Sequence, residues 1–105
     1  MCLNTLHIGG LIAMGFDPDG KYLLAVSHNG LGVFDTRTWQ RVARDPEPSY
    51  PKNGKVEGIG PLAGMLIPVL EKDYETDRLV VTDPSKKYEL SLEDFGHVQV
   101  RATGT

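Results

Sequence analysis

The sequence predicts an all-β protein built as two β-meanders packed face to face in a small sandwich, and three observations carry that expectation. Twelve glycines and seven prolines in 105 residues fall between short β-branched and aromatic runs, the punctuation of strands and turns. "KYELSLE" sets Tyr88, Leu90 and Leu92 on one face and Glu89, Ser91 and Glu93 on the other, the period of a half-buried strand. The chain also writes one pattern twice. "FDPDGKYLLAVSHNGLGVF" (16–34) and "TDPSKKYELSLEDFGHVQV" (82–100) align without a gap, with Asp17/Asp83, Pro18/Pro84, Lys21/Lys87, Tyr22/Tyr88, Leu24/Leu90 and Gly30/Gly96 identical.

Length sets the scale of the fold. A chain of 105 residues reads as a single domain, 1–105, able to bury about two-thirds of its unfolded surface without a disulfide or metal. The longest uncharged apolar run, Gly58 to Leu70, is broken by Pro61 and Pro68 and is shorter than the roughly 20 residues a membrane helix needs. No basic segment opens the chain ahead of an apolar one, and one cysteine cannot bridge within the molecule. A cytoplasmic location is expected.

The elements follow in order. "LIAMGF" is a strand ending at "DPDG", where Pro18 presets φ and Gly20 accepts a positive one. "KYLLAVSH" reads as a strand with both faces partly buried. Asn29-Gly30 predicts a type I′ hairpin turn into "LGVFDT". "WQRVARD" should alternate Trp39, Arg41 and Ala43 against Gln40, Val42 and Arg44. The loop 45–54 carries three prolines between Pro46 and Pro51, which excludes a central strand and joins the two repeats, 11–45 and 65–103. "KVEGIG" and "MLIPVLEKDY" read as strands, the second pushed to an edge or bulge by Pro68. A helix over 65–74, with Pro68 in its first turn, is the rival. "DRLVVT", the turn "DPSK", "KYELSLE" and "HVQVRA" complete the second repeat, in which Tyr88 should occupy the core position that Tyr22 holds in the first.

"GFDPDGKYLLAVSHNGLGVFDTRTWQRV" resembles one blade of a β-propeller of the tryptophan–aspartate or YVTN-repeat type. Phe16, Asp17, Pro18, Asp19, Gly20 and Lys21 match the opening of such a repeat, and Gly30, Val33, Phe34, Asp35 and Thr36 match its close. The likeness covers 11–43 well and 77–101 weakly, since Ser85 and Lys86 replace Asp-Gly. A propeller closes with typically four to eight blades, and this chain has room for about two and a half at ~40 residues each. A self-contained sandwich is therefore expected over a ring. A cut propeller fragment is not, since Met1 stands ten residues ahead of the first expected strand.

No catalytic constellation emerges. His7, His28 and His97 are isolated in sequence. No Ser occupies a Gly-x-Ser-x-Gly elbow, and Ser27 and His28 point to opposite faces of a strand. Cys2 with His7 nearby reads as a bystander at a frayed terminus. No Cys-x-x-Cys, His-x-x-x-His or calcium loop is present, and "GIGPLAG" lacks the Lys-Ser/Thr of a phosphate loop. The sequence therefore points away from an enzyme and assigns no cofactor or metal. The net charge is −3, and Lys21, Lys52, Lys55, Lys72, Lys86 and Lys87 are scattered among carboxylates, which argues against nucleic acid.

A protein partner fits better. "EKDYETD" groups Glu71, Asp73, Glu75 and Asp77 around Tyr74, and "DPEPSYP" adds an exposed Tyr50. Tyrosine supplies contact area while acids steer a basic partner. The expected function is a non-enzymatic binding module. In general type it is similar to small bacterial immunity proteins, which bind and neutralise a cognate toxin such as a basic nuclease. The alternative is a structural, self-assembling propeller-like subunit of a larger complex.

Overall fold

The computed structural model describes residues 2–47, 49–73, 75–76, 78–93 and 96–103. Strands β1 (Cys2–His7), β2 (Leu11–Phe16), β3 (Tyr22–Ser27), β4 (Gly30–Asp35) and β5 (Arg41–Asp45) precede the proline-rich loop. After it come β6 (Lys55–Glu57), a 3₁₀ turn (Gly60–Leu62), β7 (Leu66–Pro68), β8 (Leu70–Glu71), β9 (Val80–Thr82), β10 (Tyr88–Glu93) and β11 (His97–Ala102). No α-helix occurs among the described residues, and the rival helix over 65–74 gives way to β7 and β8.

Two antiparallel sheets form the sandwich, ordered β1-β11-β10-β9 and β5-β4-β3-β2-β8. Each meander is completed by a strand from elsewhere in the chain. β1 pairs with β11, the last strand, while β8 adds to β2. Between the sheets, Met14, Phe16, Leu23 and Trp39 of the first half meet Leu90, Leu92, Val98 and Val100 of the second.

The sheet around β2–β4 has no wet face. Its outer side carries Ile12, Leu24, Val26, Leu31 and Val33, and these pack under a third layer that brings Val56, Leu62, Ile67 and Val69. That explains why "LLAV" is apolar at every position rather than at alternate ones. Gly15 sets the distance between these layers. A Cβ there would stand 2.0 Å from the Pro68 carbonyl oxygen, so only glycine lets the chain cross from β7 into β8 this close to β2. Pro68 ends the edge strand β7, where the ladder asks nothing of its missing N–H.

The two Asp-Pro turns share one hydrogen-bond pattern. Asp17 Oδ1 accepts the Tyr22 N–H at 2.9 Å, and Asp83 Oδ1 accepts the Tyr88 N–H at 2.8 Å. The carbonyl of each aspartate accepts an N–H three residues on, from Gly20 and Lys86, both in the left-handed region. Thr36 then donates its N–H to the Lys21 carbonyl, and Thr103 does the same to Lys87, both at 3.0 Å. Their hydroxyls reach the preceding carbonyls, Gly20 and Lys86 respectively.

Four expectations need correction. The hairpin after β3 turns on His28 and Asn29, with Gly30 already paired to Ser27. Asn29 keeps a negative φ while Gly30 takes +123°, so the turn is not type I′. Trp39 lies in the turn before β5 at φ 58°, and its buried ring meets Tyr88 edge to face at 5.2 Å. Cys2 is not frayed, because its backbone pairs with Arg101 and places it at the far end of β1 from His7. Tyr22 and Tyr88 both open their strands but are half-buried and face different layers. Tyr22 packs on the outer core and Tyr88 on the inter-sheet core, because the first meander is the middle layer.

Asp83 is 3 % exposed, and burial alone would raise its carboxyl. The Ser85 hydroxyl and the N–H groups of Tyr88, Lys87 and Ser85 outweigh burial and hold it below its ordinary value. A carboxyl depressed in the folded state stabilises the fold above its unfolded-state value, and that contribution is lost as pH falls through the folded one. Thermal melts should therefore show Asp83→Asn losing stability less steeply than the parent below about pH 4. At neutral pH, Asp17→Ala and Asp83→Ala should each cost about 1–3 kcal/mol, since a buried N–H loses its acceptor. Gly15→Ala should cost about 1–3 kcal/mol, with hydrogen exchange quickening first in β6 and β7 as the third layer lifts.

Candidate functional site

One stretch of chain builds both open edges on one side of the sandwich. From the third layer it passes Pro68 into β8, the last strand of the central sheet. It then reverses through a backbone bridge between Asp73 and Arg78 and enters β9, the last strand of the facing sheet. Among the described residues β8 is bonded only to β2 and β9 only to β10, so each presents a short unpaired edge.

Between these edges lies a cavity of about 240 Å³, lined by Met14, Phe16, Pro68, Val69, Val81 and Pro84. Leu70 stands at its lip and is 56 % exposed. Val80, 51 % exposed, lies on the outer face of the neighbouring edge, and Leu66 is bare on the third layer. Three large apolar side chains are thus left in water on β7, β8 and β9, with Leu70 alone of them at the notch.

The acidic residues lie outside the lining of this notch, on β8 and on the turn that joins the two edges. Glu71 is exposed in β8 opposite Ala13. Asp73 is exposed and donates its N–H to the Arg78 carbonyl at 2.9 Å, while its Oδ1 accepts the Glu75 N–H at 2.8 Å. That local bond fixes the turn and leaves the Glu75 carboxylate in solvent. Tyr74 and Asp77 lie outside the described residues. Tyr50 is 58 % exposed, with its ring 6.2 Å from that of His28. His28 in turn donates its N–H to Gly10, at the end of the central sheet where β2 begins. Because β8 runs antiparallel to β2, Asp73 heads toward that same end. Tyr50 and the acids therefore share one end of the sheet, about two to three strand spacings apart, on the order of 10–15 Å.

Sequence reasoning found the acids and Tyr50 but missed the notch. Leu66 and Val80 are turned outward by strand alternation beside buried Ile67 and Val81, and Leu70 by the step from β7 into β8 after Pro68.

The carboxyls with shifted affinity sit in turns. The Arg37 guanidinium and its N–H hold Asp35 low, through a 3.0 Å ion pair and a 2.8 Å hydrogen bond, and Arg37 is raised in return. These bonds, like those of Asp83, are accounted for by the turn each one closes. Among the described residues no three His, Cys, Asp or Glu side chains gather as metal ligands would. No helix among them is long and apolar enough to cross a membrane. No protein-family model, curated protein or solved structure matches the chain.

Leu70 and Val80 carry little of the fold if they serve a surface. The double variant Leu70→Ser/Val80→Ser should change unfolding free energy by no more than about 0.5 kcal/mol per site, measured by denaturant titration.

Proposed function

We propose that the protein is a non-enzymatic binding module that captures a basic protein partner along the β8–β9 edge. The setting that suits such a module is the neutralisation of a bacterial toxin, such as a basic nuclease, by direct occlusion. One observation carries the reading: an apolar notch with exposed Leu70 at its lip opens between strands joined by the acidic turn. An interface works through a desolvated apolar anchor inside a polar rim. The notch supplies the pocket for the anchor, and Glu71, Asp73 and Glu75 supply negative charge from β8 and the turn that joins the two strands.

The two parts act on different steps of binding. Exposed carboxylates raise the encounter rate with a positively charged surface and are screened by salt. The notch acts after encounter, when a partner's apolar side chain displaces water from Phe16, Val69 and Val81, and this sets the dissociation rate. The unpaired backbone of β8 and β9 offers further hydrogen bonds to an extended partner segment.

The experiment is binding kinetics against a candidate toxin at two ionic strengths. Glu71→Lys/Asp73→Lys should slow association several-fold at low salt and flatten its salt dependence, with dissociation little changed. Leu70→Ser should speed dissociation by about tenfold, the scale of one lost anchor, with association unchanged. Wild-type kinetics in both variants would overturn the assignment of this edge.

A further inference from the structure

We infer that the opposite side of the sandwich holds a binding cleft for a small phosphate-type oxyanion, gripped by Arg41 and Arg44. The cleft follows from the sequence of β4. Gly30, Gly32 and Phe34 face the other sheet, while Leu31 and Val33 face the third layer. Register sets Ser27 against Gly30 and Ala25 against Gly32, so four small residues on two adjacent strands make a floor that no large side chain fills. The result is a cavity of about 190 Å³ between the sheets. The segment His7–Gly9 closes it from the other sheet. Asn29 pins that rim by donating its side-chain amide to the Gly9 carbonyl at 3.3 Å.

The arginines come from β5, the edge strand beside β4. Arg44 pairs with Gly32 and Arg41 with Phe34, and cross-strand partners share a face, so both side chains lie on the cleft side. Ala43, between them, turns the other way onto the outer core. The Arg41 stem passes over the floor, because a Cβ on Gly32 would lie 3.5 Å from its Cδ. Neither guanidinium has an ion-pair or side-chain hydrogen-bond partner among the described residues, whereas Arg37 is held by Asp35. Two forked donors over a small polar-rimmed hollow match the tetrahedral oxygens of a phosphoryl group. A hollow of this size seats a single phosphoryl group, and the ligand class is free phosphate or a small phosphomonoester. This cleft lies at the β1 and β5 edges, away from β8 and β9, so it stands whether or not a protein binds there.

Amide NMR titration at fixed ionic strength tests it, with inorganic phosphate and ribose 5-phosphate as separate probes and chloride as the control. Phosphate should move the amides of Gly9, Asn29, Gly30 and Gly32 saturably. A tighter response to ribose 5-phosphate identifies a phosphomonoester as the ligand, and an equal one identifies the free oxyanion. Arg44→Ala should weaken binding about tenfold or more, and Arg41→Lys/Arg44→Lys should fall between that variant and the parent. Gly32→Leu should abolish binding by filling the floor. The arginine variants are surface changes and should melt like the parent. No saturable shift with either probe, or a shift surviving unchanged in Arg41→Ala/Arg44→Ala, overturns the assignment.

Discussion

Strands β2, β3 and β4 are covered on both sides, and the remaining layers are arranged to make that so. One side is closed by the second meander and the other by the segment 55–69. The second cover needs a close backbone approach, that of the Pro68 carbonyl to Gly15. A side chain at that position would force the third layer away from Ile12, Leu24 and Val33 and let water into the outer core. Because β7 ends there, the chain must step down into the central sheet as β8, and that step creates the notch. A packing requirement in the core and a candidate contact surface at the edge thus have one geometric cause.

Strand positions were legible where side-chain period and turn chemistry agree. "DPDG" and "DPSK" announce themselves because aspartate, proline and a residue able to take positive φ are needed together. Lys86 shows how far the hydrogen bonds can enforce the turn when glycine is missing. The continuous apolar run of β3 pointed to two buried faces. β1 was not legible, since "CLNTLH" has weak alternation and gains its place only by pairing with a strand at the other end of the chain. Asn29-Gly30 misled because the Ser27 hydroxyl takes part. It accepts the Asn29 N–H and donates to the Gly30 carbonyl, which favours a turn one residue earlier.

The candidate surfaces divide in the same way. Acidic residues declared themselves by number, although they form a site only through the notch beside them. The glycines of "GLGVF" alternate with leucine and valine, a visible sign of one filled face and one empty face. What they leave room for depends on which strand lies alongside, and that is a property of topology. The two open sides of the sandwich consequently differ in chemistry: an apolar hollow and a carboxylate-bearing turn between β8 and β9, guanidinium groups over a polar hollow at β5.

The pairing of β1 with β11 also has a consequence for how the molecule comes to be folded. Leu6 lies opposite Val98, so its contact spans nearly the whole sequence. Chain-closure entropy for such a pair is repaid only after the intervening strands are in place. During synthesis the first strand would emerge long before its partner exists, and it would wait with an unpaired edge. The central meander, whose hairpins are local, has no such delay and is suited to form first. Assembly would then proceed from the middle of the molecule outward, and β1, made long before β11, would be among the last strands to be placed.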